Sequence, residues 1–150
     1  MKRIIFLFAL IISTVAINAQ VEKDGRYYDA AGNLYSGQVI TYHANGSKEK
    51  SATVSEGILN GTVQFFDENN VLEETGSYTA GQKDGVWNQF NANGKKTGEA
   101  FYKDGLKNGV WTVWDDNGIK RYHMVYNMGE KIDVWQMWDE NANLVSERTY

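Results

Sequence analysis

Residues 102–118 read YKDGLKNGVWTVWDDNG, and this stretch decides the fold. A run with high β propensity, residues 109–114, lies between two glycine-bearing segments, residues 103–108 and 115–118. Such segments are typical of hairpin turns, because glycine and asparagine tolerate a positive φ. The chain contains no proline, so glycine, asparagine and aspartate must form its turns. The stretch therefore predicts short β-strands joined by tight turns.

The same stretch recurs along the chain with a period of 24 residues. Four kinds of position share this period: a lead glycine, an aromatic residue after it, a tyrosine near the end of the second strand, and a turn glycine. Their members are Gly37, Gly61, Gly85, Gly109 and Asp133; Tyr42, Phe66, Phe90, Trp114 and Trp138; Val54, Tyr78, Tyr102, Tyr126 and Tyr150; and Gly57, Gly81, Gly105 and Gly129. Four columns with one period and no insertion predict a repeat protein.

We therefore predict an all-β protein, an elongated antiparallel meander of about ten to twelve strands built from β-hairpin repeats. Five repeats of 24 residues cover residues 37–150, and a partial N-terminal hairpin covers residues 20–36. The first two repeats depart from the motif, because Val39 and Val63 stand where later repeats have tryptophan. The last repeat has Asp133 in place of the lead glycine, as terminal repeats often differ from internal ones.

The N-terminus has the features of a secretory signal peptide, residues 1–19. Lys2 and Arg3 precede an apolar run over residues 4–16, and small and polar residues follow. Cleavage is expected after Ala19, with Ala16 as the alternative. The apolar run is shorter than the roughly 17 to 25 residues of a transmembrane helix, which disfavours a retained anchor. We predict export to the periplasm or the extracellular space.

Composition restricts the classes of partner. The formal net charge of −4 becomes −6 when Lys2 and Arg3 leave with the signal peptide, which contains no acidic residue. A negative surface argues against nucleic acid and makes membrane lipid an unfavourable partner. The chain has no cysteine, so we expect neither a disulfide nor a lipid attached to cysteine. Stability must come from packing.

The pattern Tyr102-x-x-Gly105-x-x-x-Gly109-x-Trp111-x-x-Trp114-x-x-x-Gly118 resembles the bacterial variant of the MORN repeat, named for membrane occupation and recognition nexus. The resemblance covers about residues 37–150 and is strongest over residues 78–126. It implies a single-layer, twisted sheet of successive hairpins that acts as a scaffold or adaptor. Some family members contact lipids, and bacterial members are often labelled antitoxin-like. No catalytic residue belongs to the motif.

The candidate partner-binding residues are Trp87, Trp111 and Trp135, which occupy the same position of the last three repeats. Equivalent strands of neighbouring repeats lie two strand spacings apart, so the three rings are expected at intervals of about 9.5 Å on one face. If exposed, this ladder could stack on sugar rings or hold an apolar protein surface. If buried, each ring would stabilise the sheet by about 4–6 kcal/mol. The sequence leaves both roles open.

We predict no catalytic residue, no cofactor and no metal site. His43 and His123 fall at different places in the repeat, which favours turn or surface roles. Asp67, Asp115 and Asp139 share one turn position, where an aspartate closes the turn through its own side chain. Turn chemistry therefore explains these acids better than acid–base catalysis or calcium binding does.

The sequence favours an exported, non-enzymatic repeat scaffold that binds a protein of the envelope or the extracellular space. The first alternative is a glycan-binding module that uses the Trp/Tyr ladder. The second alternative is an antitoxin-like binding protein.

Overall fold

The computed structural model describes residues 21–150, so the predicted signal peptide, residues 1–19, lies outside the described part of the chain. The regular structure of residues 21–150 is entirely β. The strands are β1 (Val21–Lys23), β2 (Arg26–Tyr28), β3 (Gly37–Tyr42), β4 (Lys48–Ser55), β5 (Ile58–Phe66), β6 (Leu72–Thr79), β7 (Gln82–Lys83), β8 (Gly85–Phe90), β9 (Lys96–Lys103), β10 (Leu106–Lys107), β11 (Gly109–Trp114), β12 (Lys120–Asn127), β13 (Glu130–Trp138) and β14 (Leu144–Thr149). No helix that could span a membrane occurs among these residues.

Twelve of the strands form one open antiparallel sheet, in which neighbours in sequence are also neighbours in space. The order from edge to edge is β14-β13-β12-β11-β9-β8-β6-β5-β4-β3, while β7 pairs with β6 and β10 with β9. The strands β1 and β2 form a separate hairpin. The predicted fold class, an antiparallel meander of β-hairpin repeats, is confirmed.

The turn glycines lie in hairpin turns of two residues. Lys103 pairs with Leu106, and the two residues between them, Asp104 and Gly105, both have positive φ (48° and 80°). Two positive φ angles are typical of the type I′ turn, whose twist matches that of the flanking strands. The same turn occurs at residues 56–57, 80–81 and 128–129. The turn expected over residues 103–108 is therefore shorter than predicted, because β10 already begins at Leu106.

The second kind of turn is closed by a side chain. The Asp115 carboxylate accepts hydrogen bonds from the backbone N–H groups of Asn117 and Ile119, at 3.0 Å each. The same two bonds occur in the turns that begin at Asp29, Asp67, Asn91 and Asp139. At Asp67 the N–H of Val71 is the main cause that holds the carboxyl pKa below its usual value. These acids have the turn-closing role that their shared position predicted.

The lead glycines lie at bulges between neighbouring repeats. Between β4 and β5 the register shifts so that Thr53 alone faces the three residues 60–62. Gly61 lies in the middle of these three with a φ of 113°. The later junctions repeat the two-residue shift at Gly85, Gly109 and Asp133. Because a bulge increases the local twist of a strand, each junction bends the sheet in the same way.

The two faces of the sheet differ, and we call the side that carries Trp87 the aromatic face. Two buried clusters lie on it, one formed by Tyr27, Val39 and Val54 and the other by Ala52, Val63 and Trp87. Tyr27 comes from the N-terminal hairpin, which is attached by a hydrogen bond from the Tyr27 N–H to the Gly57 carbonyl oxygen (2.8 Å). The valine at position 39 is thus the residue on which Tyr27 packs.

Candidate functional site

A continuous row of seven aromatic rings crosses the aromatic face from the end of the second repeat to the end of the fifth. Tryptophans of the first strands alternate with tyrosines of the second strands, and neighbouring ring centroids are 4.9–6.0 Å apart. The order is Tyr78, Trp87, Tyr102, Trp111, Tyr126, Trp135 and Tyr150. The structure therefore places the three candidate tryptophans in one row, with a tyrosine between each pair.

The rings of this row lean on one another and share no common plane. The interplanar angle is 88° between Tyr78 and Trp87 and 54° between Trp135 and Tyr150. Edge-to-face and tilted pairs are favourable because the positive edge of one ring meets the negative face of the next. The row is thus held together by ring–ring contacts and offers no flat platform.

Trp87 belongs to the core of the sheet. It is 1% exposed and lies against Gly76, where an added Cβ would come within 2.2 Å of the indole ring. Only a residue without a side chain allows the indole to lie this close to the backbone. The equivalent position one repeat later is Ala100, which has a Cβ. The deep burial of Trp87 therefore depends on Gly76.

Trp111 and Trp135 are partly buried and have a second attachment. Trp111 donates its indole N–H to the Phe101 carbonyl oxygen at 3.0 Å, and Trp135 donates to the Val125 carbonyl oxygen at the same distance. These bonds satisfy the polar end of each ring while part of its surface remains accessible. The two later tryptophans are therefore placed where a partner could contact them.

A column of lysines, which sequence reasoning missed, lies over the ring row. Lys83, Lys107 and Lys131 are 24 residues apart, so the period itself could have revealed them. Their ammonium nitrogens are 3.5, 4.3 and 4.4 Å from the centroid of the tryptophan ring four residues later, at the start of the next repeat. Each also lies within 5.2 Å of the centroid of the next tyrosine ring. Cations in this position are attracted by the ring faces, and they cover those faces in part.

One carboxylate is paired with this column. Glu74 lies 3.7 Å from the Lys83 ammonium. Burial raises the pKa of the Tyr78 and Tyr102 hydroxyls, and the negative charge of Glu74 raises it further. Within residues 21–150, neither Lys107 nor Lys131 forms an ion pair. Glu74 therefore compensates the positive charge of Lys83, whereas no ion pair compensates the charges of Lys107 and Lys131.

An open groove of about 380 Å³ lies on the same face in the fourth and fifth repeats. Its lining includes Tyr122, Met124, Trp135, Met137, Arg148 and Tyr150. Tyr122 and Tyr150 are 42% and 43% exposed. Methionine side chains adapt to surfaces of different shape, and tyrosine combines an apolar ring with a polar end. This lining is suited to contact with another protein.

The opposite face carries a row of mostly polar residues that pair across the strands. The row runs through Ser51, Gln64, Thr75, Asn88, Glu99, Thr112, His123, Gln136 and Glu147. His43, the other histidine, lies in a turn with its Nε2 2.8 Å from the Phe66 carbonyl oxygen. Across residues 21–150 no three histidine, aspartate or glutamate side chains are grouped to hold a metal ion.

These features define a class, a β-hairpin repeat protein whose repeats lie side by side in one open sheet. The family model described as MORN repeat variant matches residues 59–80 and 83–104. Residues 59–80 and 83–104 are thus MORN repeats of the variant type, as the resemblance predicted. The first matched segment contains Val63, so a valine at the tryptophan position is compatible with the family. MORN repeats are generally modules that interact with proteins or membranes, and they are typically non-enzymatic.

None of the curated proteins matches the chain. Among solved structures, one that matches is the crystal structure of the GtfA/B complex bound to UDP and GlcNAc, with 9% sequence identity and a TM-score of 0.30. The match covers 75% of this chain and 24% of that chain. A similarity this distant does not indicate a function.

Proposed function

We propose that the chain is an exported, non-enzymatic interaction module that holds a protein of the cell envelope on the aromatic face of its third to fifth repeats. The observation that carries this proposal is the groove beside Trp135, whose aromatic and methionine lining is left open. Export is supported by the signal-peptide pattern of residues 1–19.

The two ends of the aromatic face differ in how far their side chains are covered, and this difference supports the proposal. At the N-terminal end, Tyr27 covers Val39 and is itself only 4% exposed. At the C-terminal end, Tyr122 and Tyr150 remain 42% and 43% exposed, although Lys131 and Arg148 lie over part of the Tyr150 ring. Exposed apolar patches mark interaction sites, and tyrosine and tryptophan are frequent anchors of protein interfaces. The open end is therefore the part of the face on which we place the partner.

The glycan-binding alternative has less support from the geometry. Stacking on a sugar requires an accessible ring face, whereas the Lys83 ammonium lies 3.5 Å from the Trp87 centroid and covers that face. The tilt between neighbouring rings also prevents several sugars from stacking in line. No observation favours the antitoxin-like alternative.

The proposal is tested by partner capture with two matched double variants. Tyr122→Ser with Tyr150→Ser removes two exposed rings from the aromatic face. Val86→Ser with Val110→Ser removes two residues that are 48% and 49% exposed on the opposite face. Each immobilised protein is incubated with envelope extract, and the bound proteins are quantified by mass spectrometry.

We expect the wild type and the Val86/Val110 control to retain the same partner, and the Tyr122/Tyr150 variant to lose it. Thermal melts of all three proteins show whether each variant is folded. Equal recovery by the three folded proteins would contradict the proposal.

A further inference from the structure

The aromatic face is basic, although the chain as a whole has a formal charge of −4. Four cations lie along the ring row of the last three repeats: Lys83, Lys107, Lys131 and Arg148. Glu74 is paired with the first of them. Asp133 lies on the bulge of β13, where its carboxylate accepts a hydrogen bond from the Val134 N–H at 2.9 Å. The charge of this face is therefore opposite in sign to that of the molecule.

Lys107 and Lys131 are the cations best placed to meet a ligand. Neither forms an ion pair within the described residues, and each is held over a tryptophan and a tyrosine ring. A lysine that is already positioned by its rings loses less conformational freedom when an anion binds. An ammonium group has three hydrogen-bond donors, which a carboxylate can accept. The chemistry of these two sites is that of carboxylate binding.

The spacing of the column fits an extended polypeptide. Equivalent strands of neighbouring repeats are two strand spacings apart, so consecutive lysines lie about 9.5 Å from each other. A chain in the extended polyproline II conformation has three residues per turn and advances about 3.1 Å per residue, so every third side chain points to the same side and meets the next lysine. A chain that lies across the strands would thus present one acidic side chain to each repeat.

We infer that the partner of the aromatic face is an extended acidic segment of another protein, with aspartate or glutamate at about every third position. This inference rests on the proposed function and names the chemistry of its partner. Apolar side chains between the acids enter the groove beside Tyr122 and Met137. A sugar polymer is disfavoured because neighbouring rings are tilted, and an anionic membrane is distinguished from the peptide by the test below.

The probe is a fluorescent synthetic peptide of about nine residues, with glutamate at every third position and leucine and threonine between. Its control has glutamine in place of each glutamate. Binding is measured by anisotropy with the wild type, with Lys107→Gln/Lys131→Gln, and with Lys23→Gln/Lys96→Gln. The last variant removes the same charge at exposed lysines away from the ring row.

We expect the Lys107/Lys131 variant to bind the peptide about tenfold more weakly than the wild type, because two exposed ion pairs contribute about that factor. We expect the Lys23/Lys96 control to bind like the wild type, and added salt to weaken binding. Equal binding by all three proteins, or equal binding of the glutamine peptide, would overturn the inference.

Two competitors separate the sources of negative charge. Vesicles of phosphatidylcholine with phosphatidylserine, or polygalacturonate, would overturn the inference if either bound more tightly than the peptide in a lysine-dependent manner. The envelope capture experiment separates the two proposals. If the partner is lost by Tyr122→Ser/Tyr150→Ser but retained by Lys107→Gln/Lys131→Gln, the binding face stands and its acidic partner is rejected.

Discussion

Replacing Gly76 with alanine should destabilise the protein by about 1–3 kcal/mol, the usual cost of adding a methyl group to a filled core. The new Cβ would lie 2.2–2.7 Å from three atoms of the Trp87 indole. Carbon atoms in favourable contact are about 3.5–4.0 Å apart, so the ring must move. Trp87 is 1% exposed and packs against Val63 and Tyr78, so movement disrupts those contacts. The backbone of Gly76 does not have the positive φ that favours glycine, which leaves steric overlap as the cause.

The assay is thermal and urea unfolding, followed by tryptophan fluorescence. For a chain of this size 1 kcal/mol corresponds to about 2–4 °C, so we expect the melting temperature to fall by about 2–12 °C. The matched control is Ala100→Gly in the next repeat, which removes the equivalent Cβ and should cost at most about 1 kcal/mol. An unchanged melting temperature for Gly76→Ala, with unchanged fluorescence, would refute the described packing of Trp87.

Two further predictions concern the turns. Gly118→Val should lower the free energy of unfolding by about 1–3 kcal/mol, because Gly118 has a φ of 87° that valine rarely adopts. Gly118→Asn should retain most of the stability in the same urea titration, and equal losses for both variants would contradict this account. The second prediction is loss of stability in acid, because the carboxyl pKa values of Asp29, Asp67 and Asp139 lie below 3.8 when folded. The ionised carboxylates contribute this stability above the ordinary aspartate pKa, and the contribution is lost as the pH falls through the lowered pKa of the folded state. Asp67→Asn should therefore weaken the decline in melting temperature with falling pH. An identical decline in the variant and the wild type would contradict this account.

The turns made most of the fold predictable. Gly105 belongs to a turn whose conformation strongly favours glycine, and Asp115 closes the next turn with its own side chain, so both carry a local signal. Because the motif recurs every 24 residues, one correctly assigned hairpin predicts the same hairpin in each repeat, and together these form the sheet. The bulge at Gly61 is different, because it is a property of the register between β4 and β5 and involves residues on both strands. The sequence of either strand alone therefore does not predict the bulge.

The candidate site was predictable only in part. The common face of Trp87, Trp111 and Trp135 followed from the period, but the deep burial of the first depends on Gly76, which lies on the neighbouring strand. Tyr27 lies outside the period, so its packing on the first repeat could not be inferred from the columns. The lysines shared the period and were still missed, because lysine in a strand usually indicates a solvated edge.

The open end of the sheet has a consequence for motion. Every residue of β14 is exposed, and the strand packs chiefly against β13, while the buried clusters lie near the other end. Opening should therefore begin at β14 and proceed repeat by repeat, with hydrogen exchange slowing toward the N-terminal clusters. The groove lies on the part of the sheet that opens most easily. A partner that spans the last repeats would suppress this fraying, so part of its binding free energy would appear as stiffening of the sheet.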